Sequence, residues 1–214
     1  MGFYNNAGGL VQTLTKKELI NEIRIRVNRD QYNFNDIDTS KITDMSYLFY
    51  DSDYDLSKID ISKWDVSNVT DMRCMFFHCN SFNSDLSCWD VSRVENMYCM
   101  FYNCKLFNSN LSKWNVSNVI DMAHMFHDCI NFNSDLSRWN VSSVESMNNM
   151  FANCSYFNCD LSGWDVSKVK EMAGMFCGCT DFNCDLSGWN TKSLIFSSEI
   201  FFNSGMKEKP KWCC

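Results

Sequence analysis

Apolar positions along the chain form a pattern that changes character once and then repeats. Val94, Met97, Met100, Phe101 and Cys104 lie three, three, one and three residues apart, a spacing that places them on one face of a short helical segment. Phe82, Ser84 and Leu86, then Trp89 and Val91, suit short extended segments with a kink near Ser87 and Cys88. The whole pattern returns every 25 residues. Tryptophan stands at 64, 89, 114, 139, 164 and 189, and behind Trp64 comes the frame Val66, Val69, Met72, Met75, Phe76, Cys79, Phe82, Asn83, Leu86. Its last full copy is Val166, Val169, Met172, Met175, Phe176, Cys179, Phe182, Asn183, Leu186. A fixed period of this length means stacked units, each unable to bury its apolar face without a neighbour. In register, the extended pieces are predicted to align as parallel strands about 4.8 Å apart.

The ends of the array are imperfect. A shift of 27 aligns Ile37, Met45, Leu48 and Phe49 with Trp64, Met72, Met75 and Phe76, so two residues are inserted between Ser52 and Ile61. At the other end Trp189, Leu194, Ile200 and Phe201 keep register, while Ser197 and Ser204 answer Met172 and Cys179. A polar last coil is what a stack needs to face water. Thr15 and Glu18 predict a capping box, and Leu19, Ile20, Ile23 and Val27 follow at helical spacing, leaving Lys16, Lys17, Glu22, Arg24 and Arg26 for solvent. This helix is read as a cap over the first coil, a basic docking surface being the alternative. The organisation expected is an N-terminal segment with its capping helix over 1–36, six coils over 37–188, and a degenerate coil and tail over 189–214.

Each column of the repeat becomes a ladder when coils stack. Trp64, Trp89, Trp114, Trp139 and Trp164 are read as inward structural positions, and so are the two columns that hold ten of the 13 methionines. Asn83, Asn108, Asn133, Asn158 and Asn183 form a polar ladder whose amides are expected to pair, buried, from coil to coil. Serines such as Ser67 and Ser87 are expected to bond backbone groups at turns. Of the 13 cysteines, Cys79, Cys104, Cys129, Cys154 and Cys179 fall in one core column. Parallel side chains one coil apart satisfy the disulfide torsion poorly, so reduced thiols are expected. Cys213 and Cys214 are read as a flexible, oxidisable end.

Chemistry that needs singular, convergent residues is disfavoured. Acids, serines and asparagines recur by translation, and His78, His124 and His127 fall in different columns or coils with no obvious acid partner, so no catalytic residue is assigned. Cys74, Cys99 and His124 line up across coils, and three ligands in a line cannot close a zinc tetrahedron. No metal and no cofactor are expected. Asp85 and Asp135 suggest a calcium ladder that Asn110 interrupts. A net charge of −7 opposes phosphate contacts, so no nucleic-acid partner is expected. No run of about 18 apolar residues predicts a membrane span. Met1 to Leu10 lacks a secretory pattern and Asn6 departs from a myristoylation signal, so an intracellular or virion location is expected over secretion.

The frame Leu-Ser-x-Trp-x-Val-Ser-x-Val-x-x-Met-x-x-Met-Phe-x-x-Cys-x-x-Phe-Asn, as it stands from Leu111 to Asn133, resembles the BspA-like repeat of bacterial surface lipoproteins, some protists and large DNA viruses. The resemblance covers about residues 15 to 203 and implies an irregular leucine-rich-repeat architecture with no shared catalytic residues. The fold class expected is therefore an α/β repeat solenoid, a leucine-rich-repeat-like right-handed coil stack with short parallel strands and short helical segments. The function expected is a non-enzymatic protein–protein interaction or structural scaffold. One form of it is a minor structural component of a large virus particle, with capsid or coat proteins as partners. The alternative is a cell-surface adhesin or receptor-binding repeat protein. Large residues at variable positions, Phe77, Tyr98, Tyr102, Leu106, His127 and Tyr156, mark the candidate partner surface.

Overall fold

The computed structural model describes residues 14–52 and 54–213. Met1 to Leu10, with Asn6, and Cys214, all considered above, lie outside the described residues. Helix α1, Lys16–Val27, begins at Thr15, whose hydroxyl accepts from the Glu18 N–H while the Glu18 carboxylate accepts from the Thr15 N–H. Leu19, Ile23 and Val27 are buried on its inner face, whereas Ile20 is 43% exposed, a departure from the expected apolar stripe. Lys16 fixes the helix to the first coil through Asp44 Oδ1 at 2.9 Å and Ser46 Oγ at 2.8 Å. One apolar cluster runs from Leu19 of this helix to Phe201 of the last coil.

The expected α/β solenoid of strands and helices is not what the chain forms. Among the described residues α1 is the single α-helix, Leu56–Lys58 and Lys211–Cys213 are short 3₁₀ helices, and pairing is limited to isolated parallel bridges. Each coil is built from turns. The reason lies in the backbone of the segment read above as helical: Cys74 and His78 have φ of 52° and 61°, Cys99 and Asn103 53° and 57°, His124 and Asp128 57° and 60°. A left-handed residue every fourth position stops any α-helix. Amide groups then divide their bonding. The N–H groups of Met72, Cys74, Phe76 and His78 donate along the stack to the carbonyls of Asn96, Tyr98, Met100 and Tyr102 at 2.8–2.9 Å. Between them Met75, Phe77 and Cys79 donate three residues back within their own coil. Alternate amides are thus spent on turns, so bridges survive only at single residues, in the column Asp44, Asp71, Asn96, Asp121, Ser146, Glu171, Phe196 and between Asn33 and Asp60 at the start of the stack. The strands were expected at 82–91 and are absent there.

Acidic and amide side chains shape the remaining corners. Asp65, Asp90, Asn115, Asn140 and Asp165 each accept from the backbone N–H two residues on, and Asp60, Asp85, Asn110, Asp135, Asp160 and Asp185 do the same in a second column. These are Asx turns. The serines thus supply backbone N–H groups to these turns, whereas their hydroxyls were expected to bond the backbone; those of Ser62 and Ser67 donate to Asp60 and Asp65 Oδ1 instead. Asn110 fits its column because an amide oxygen accepts as a carboxylate does.

Rings and sulfurs fill the interior. Phe76, Phe101, Phe126, Phe151 and Phe176 stack at 5.5–5.8 Å, each lying about 4 Å from the second phenylalanine of its own coil. Both methionine columns are fully buried. The stack is closed at its far end by Trp212, which stacks on Trp189 at 5.9 Å and donates Nε1–H to the Leu186 carbonyl at 2.8 Å. Cys213, read above as part of a flexible end, lies in the 3₁₀ helix Lys211–Cys213 beside Trp212 and packs against the core.

Candidate functional site

The columns singled out in the sequence take distinct positions. Trp64 to Trp164 are buried, and each indole Nε1–H donates to a carbonyl of the coil before: Phe34 for Trp64, Ile61 for Trp89, Leu86 for Trp114, Leu111 for Trp139 and Leu136 for Trp164, at 3.0–3.1 Å. Asn83, Asn108, Asn133, Asn158 and Asn183 do form a ladder, but an exposed one. Each side-chain oxygen accepts the backbone N–H of the next asparagine at 2.9–3.1 Å, and the Asn183 oxygen accepts from Lys207 at 3.1 Å. The expected buried amide-to-amide pairing is replaced by amide-to-backbone pairing at the surface.

The core cysteines donate as well as pack. Cys79, Cys104, Cys129, Cys154 and Cys179 place Sγ 2.8–3.0 Å from the carbonyls of Phe49, Phe76, Phe101, Phe126 and Phe151. Burial pushes the Cys79 and Cys179 thiols up to about 12, so these sulfurs stay protonated and unreactive. Cys159 plays the opposite part, accepting the Leu136 N–H at 3.1 Å where Ser109 and Ser134 accept from Leu86 and Leu111.

The lateral surface carries the least repetitive chemistry. Tyr50, Phe77, Tyr102 and His127 occupy one column and stack ring on ring, at 4.7, 4.8 and 4.6 Å with interplanar angles of 9°, 18° and 12°. His78 lies against Phe77 at 4.2 Å and is 5.6 Å from Tyr102. His124 stands 6.2 Å from Tyr102, 5.6 Å from His127 and edge-on to Tyr98 at 5.9 Å. All three histidines of the chain therefore gather around Tyr102, contrary to the reading that set them apart. Acids lie near two of them, Asp51 at 3.5 Å from His78 Nδ1 and Asp128 at 3.1 Å from His127 Nδ1, but His127 Nδ1 is buried without a hydrogen bond.

Local electrostatics differ across this face. Burial, with the neighbouring His127, holds His124 below the usual histidine range. Contact with Cys99, added to its Coulombic effect and to burial, raises the Tyr98 hydroxyl to about 12, and burial raises Tyr102. The Tyr50 end of the ring run opens on a groove of about 510 Å³ between α1 and the first coil, where Lys17 and Arg24 face Tyr47, Tyr50 and Tyr54.

Of the six predicted contact residues, Phe77, Tyr102 and His127 form one run and Tyr98 joins it through His124. Leu106 and Tyr156, 52% and 57% exposed, stand past the buried cysteine corner and share no ring contact with the run. Tyr47, Tyr50, His78 and His124 were missed. The shift of 27 that aligns Phe49 with Phe76 also aligns Tyr50 with Phe77, and that was the available signal.

Turn-built coils of 25 residues, laid in register and stapled by side-chain ladders, define a repeat protein. Residues 20–129 and 107–212 match, in two overlapping stretches, the family described as Mycoplasma protein of unknown function, DUF285, and the chain belongs to that family. No curated protein and no solved structure matches it.

Proposed function

We propose that this protein is a non-enzymatic recognition scaffold whose lateral aromatic face binds another protein. The observation that carries the reading is the run Tyr50, Phe77, Tyr102, His127, four rings in contact across four successive coils. Tyrosine gives large contact area at low entropic cost, because few torsions are immobilised on binding, and this backbone is held by hydrogen bonds along the stack. Tyr47 and Tyr98, 50% and 37% exposed, widen the face. Lys17 and Arg24 at its end favour a partner segment that pairs apolar side chains with a carboxylate. The frame from Leu111 to Asn133 supports the narrower assignment to BspA-like repeats, whose members include surface proteins and proteins of large DNA viruses. A particle component with capsid or coat partners is the form of scaffold proposed.

Site-specific photo-cross-linking in cells tests this reading. A photoreactive residue in place of Tyr102 is expected to capture a defined partner that the same group at Lys113, exposed on a corner of the stack, does not. Equal capture from both positions, or none from Tyr102, overturns the proposal. Capsid or coat proteins in a particle fraction establish the assembly role, and membrane-surface or receptor proteins move the assignment to the adhesin class.

A further inference from the structure

The last coil keeps the backbone of the coils before it. Glu199 and Asn203 have φ of 58° and 54°, where Cys74 and His78 have 52° and 61°. It keeps their register too, since the carbonyls of Phe196, Ser198, Ile200 and Phe202 accept from Met172, Gly174, Phe176 and Gly178 at 2.8–2.9 Å. In an interior coil the N–H groups of Met72, Cys74, Phe76 and His78 then donate onward to the next coil. Their counterparts in the last coil, the N–H groups of Ser197, Glu199, Phe201 and Asn203, have no acceptor among the described residues. A row of unpaired backbone groups is a template for another chain.

The tail closes the core and leaves this row open. Phe201 lies beside the Trp212 indole and is 4% exposed, while Ser197, Glu199 and Asn203 are exposed. Phe196 and Phe202, 58% and 54% exposed, stand at the two ends of the row. The column that ends in Phe196 holds Asp44, Asp71, Asn96, Asp121, Ser146 and Glu171 in the other coils, so it turns apolar only at the open edge. A terminal rung that simply faces water is expected to be polar. Midway between the two rings stands Glu199, an exposed carboxylate with no ion-pair partner among the described residues.

A second copy of the chain does not fit this edge. Two such rows cannot pair with each other, because the Glu199 and Phe201 carbonyls are already taken by Phe202 and Ser204 and the row offers donors. The first coil, whose carbonyls would match, lies under α1, with Ser46 and Leu48 buried and Lys16 holding Asp44 and Ser46. A helix about 10 Å across does not fit within a rung spacing of about 4.8 Å.

We propose that the open edge of the last coil binds a segment of another protein that carries two aromatic residues six apart with a lysine or arginine midway. Laid in register, its alternate carbonyls accept from Ser197, Glu199, Phe201 and Asn203, as those of Asn96, Tyr98, Met100 and Tyr102 accept inside the stack. Main-chain bonds of this kind give affinity and the side chains give specificity. The two aromatic residues stack on Phe196 and Phe202, and the cation faces Glu199. Phe202 lies four coils beyond Tyr102 in the sequence period, so this surface does not depend on the lateral aromatic face.

The test is an NMR titration of the full nitrogen-15-labelled chain with a synthetic peptide of serines that bears two tyrosines six apart and a lysine midway. Saturable shifts are expected at the amides of Ser197, Glu199, Phe201 and Asn203. A matched peptide with glutamate in place of lysine is expected to bind about tenfold more weakly, and Glu199→Lys, a substitution at an exposed site, to reverse that preference. Tyr102→Ala is expected to leave the binding unchanged, which keeps this surface separable from the lateral one. No shift at the last coil, shifts confined to Phe77 and Tyr102, or a preference that Glu199→Lys does not reverse each overturn the proposal. Concentration-dependent sedimentation of the unmutated chain that Phe202→Ala abolishes would assign the edge to a second copy and overturn it as well.

Discussion

Replacing Trp212 with alanine removes the closure of the stack, and the cost can be worked from its contacts. The side chain is half-buried, stacks on Trp189 at 5.9 Å, lies 6.1 Å from Phe201, and donates to the Leu186 carbonyl at 2.8 Å. A fully buried aromatic side chain removes roughly 150–250 Å² from water, so half of that at about 25 cal/mol per Å² contributes ~2–3 kcal/mol. The indole hydrogen bond adds about 1 kcal/mol. Trp212→Ala is thus expected to cost ~3–4 kcal/mol of tail docking, and Trp212→Phe, which keeps the stack and loses the donor, about 1–2 kcal/mol. In a quasi-one-dimensional array the loss stays local. Amide hydrogen exchange reads it directly: Gly205, bonded to the Cys179 carbonyl, and Lys207, bonded to Asn183 Oδ1, lose protection in Trp212→Ala, while Phe126 and Phe151 keep theirs. Undiminished protection at Gly205 and Lys207 in that variant would show that the tail is held by something other than Trp212.

Further substitutions separate the roles of single side chains. A Cβ at Gly205 meets the Thr180 carbonyl oxygen at 2.2 Å, so Gly205→Ala is expected to destabilise the last coil by about 1–3 kcal/mol, and a wild-type denaturation midpoint speaks against that close approach. Asn133→Ala removes the acceptor for the Asn158 N–H at an exposed rung. Water replaces much of it, so urea titration is expected to show a loss of about 0.5–1 kcal/mol, and a loss above about 2 would return the ladder to the interior. Cys159→Ser places a better acceptor beside the Leu136 N–H, as Ser109 and Ser134 already do for Leu86 and Leu111. An unchanged or higher melting temperature is expected there, and a fall of several degrees contradicts the acceptor role. Turn aspartates are held below their usual range, Asp90 by the Ser92 hydroxyl and then its amide, Asp160 by the Ser162 amide and then its hydroxyl. A depressed folded-state value means stability that is present above the ordinary carboxylate value of about 3.9 and lost as pH falls below it. Melting temperatures are accordingly expected to hold from neutrality to about pH 5 and to drop beneath about pH 4, and a flat profile to pH 2.5 counts against the Asx-turn scheme.

Period, core and capping helix were legible because each rests on a local rule that translation along the chain repeats. Met72, Met75, Phe76 and Cys79 are buried wherever they recur, and Thr15 with Glu18 forms the capping box its spacing predicts. Helix and turn were confused because a spacing of three, three, one and three also arises from successive turns with a left-handed residue between them. The distinguishing signal was one column over. Asp51, His78, Asn103, Asp128, Asn153, Gly178 and Asn203 all have positive φ, and aspartate, asparagine, histidine and glycine are the types that tolerate it best. The histidine face was hidden for a different reason, since proximity there depends on which columns the turns fold together. Trp212 escaped notice because it stands 23 residues after Trp189, two short of the period.

Scalar couplings across hydrogen bonds, measured by NMR on the labelled protein, test the turn-built coil most directly. Couplings are predicted from the amide nitrogens of Met72, Cys74, Phe76 and His78 to the carbonyl carbons of Asn96, Tyr98, Met100 and Tyr102. Couplings from those amides to carbonyls four residues earlier would mean that each coil carries an α-helix and that the architecture described above is wrong.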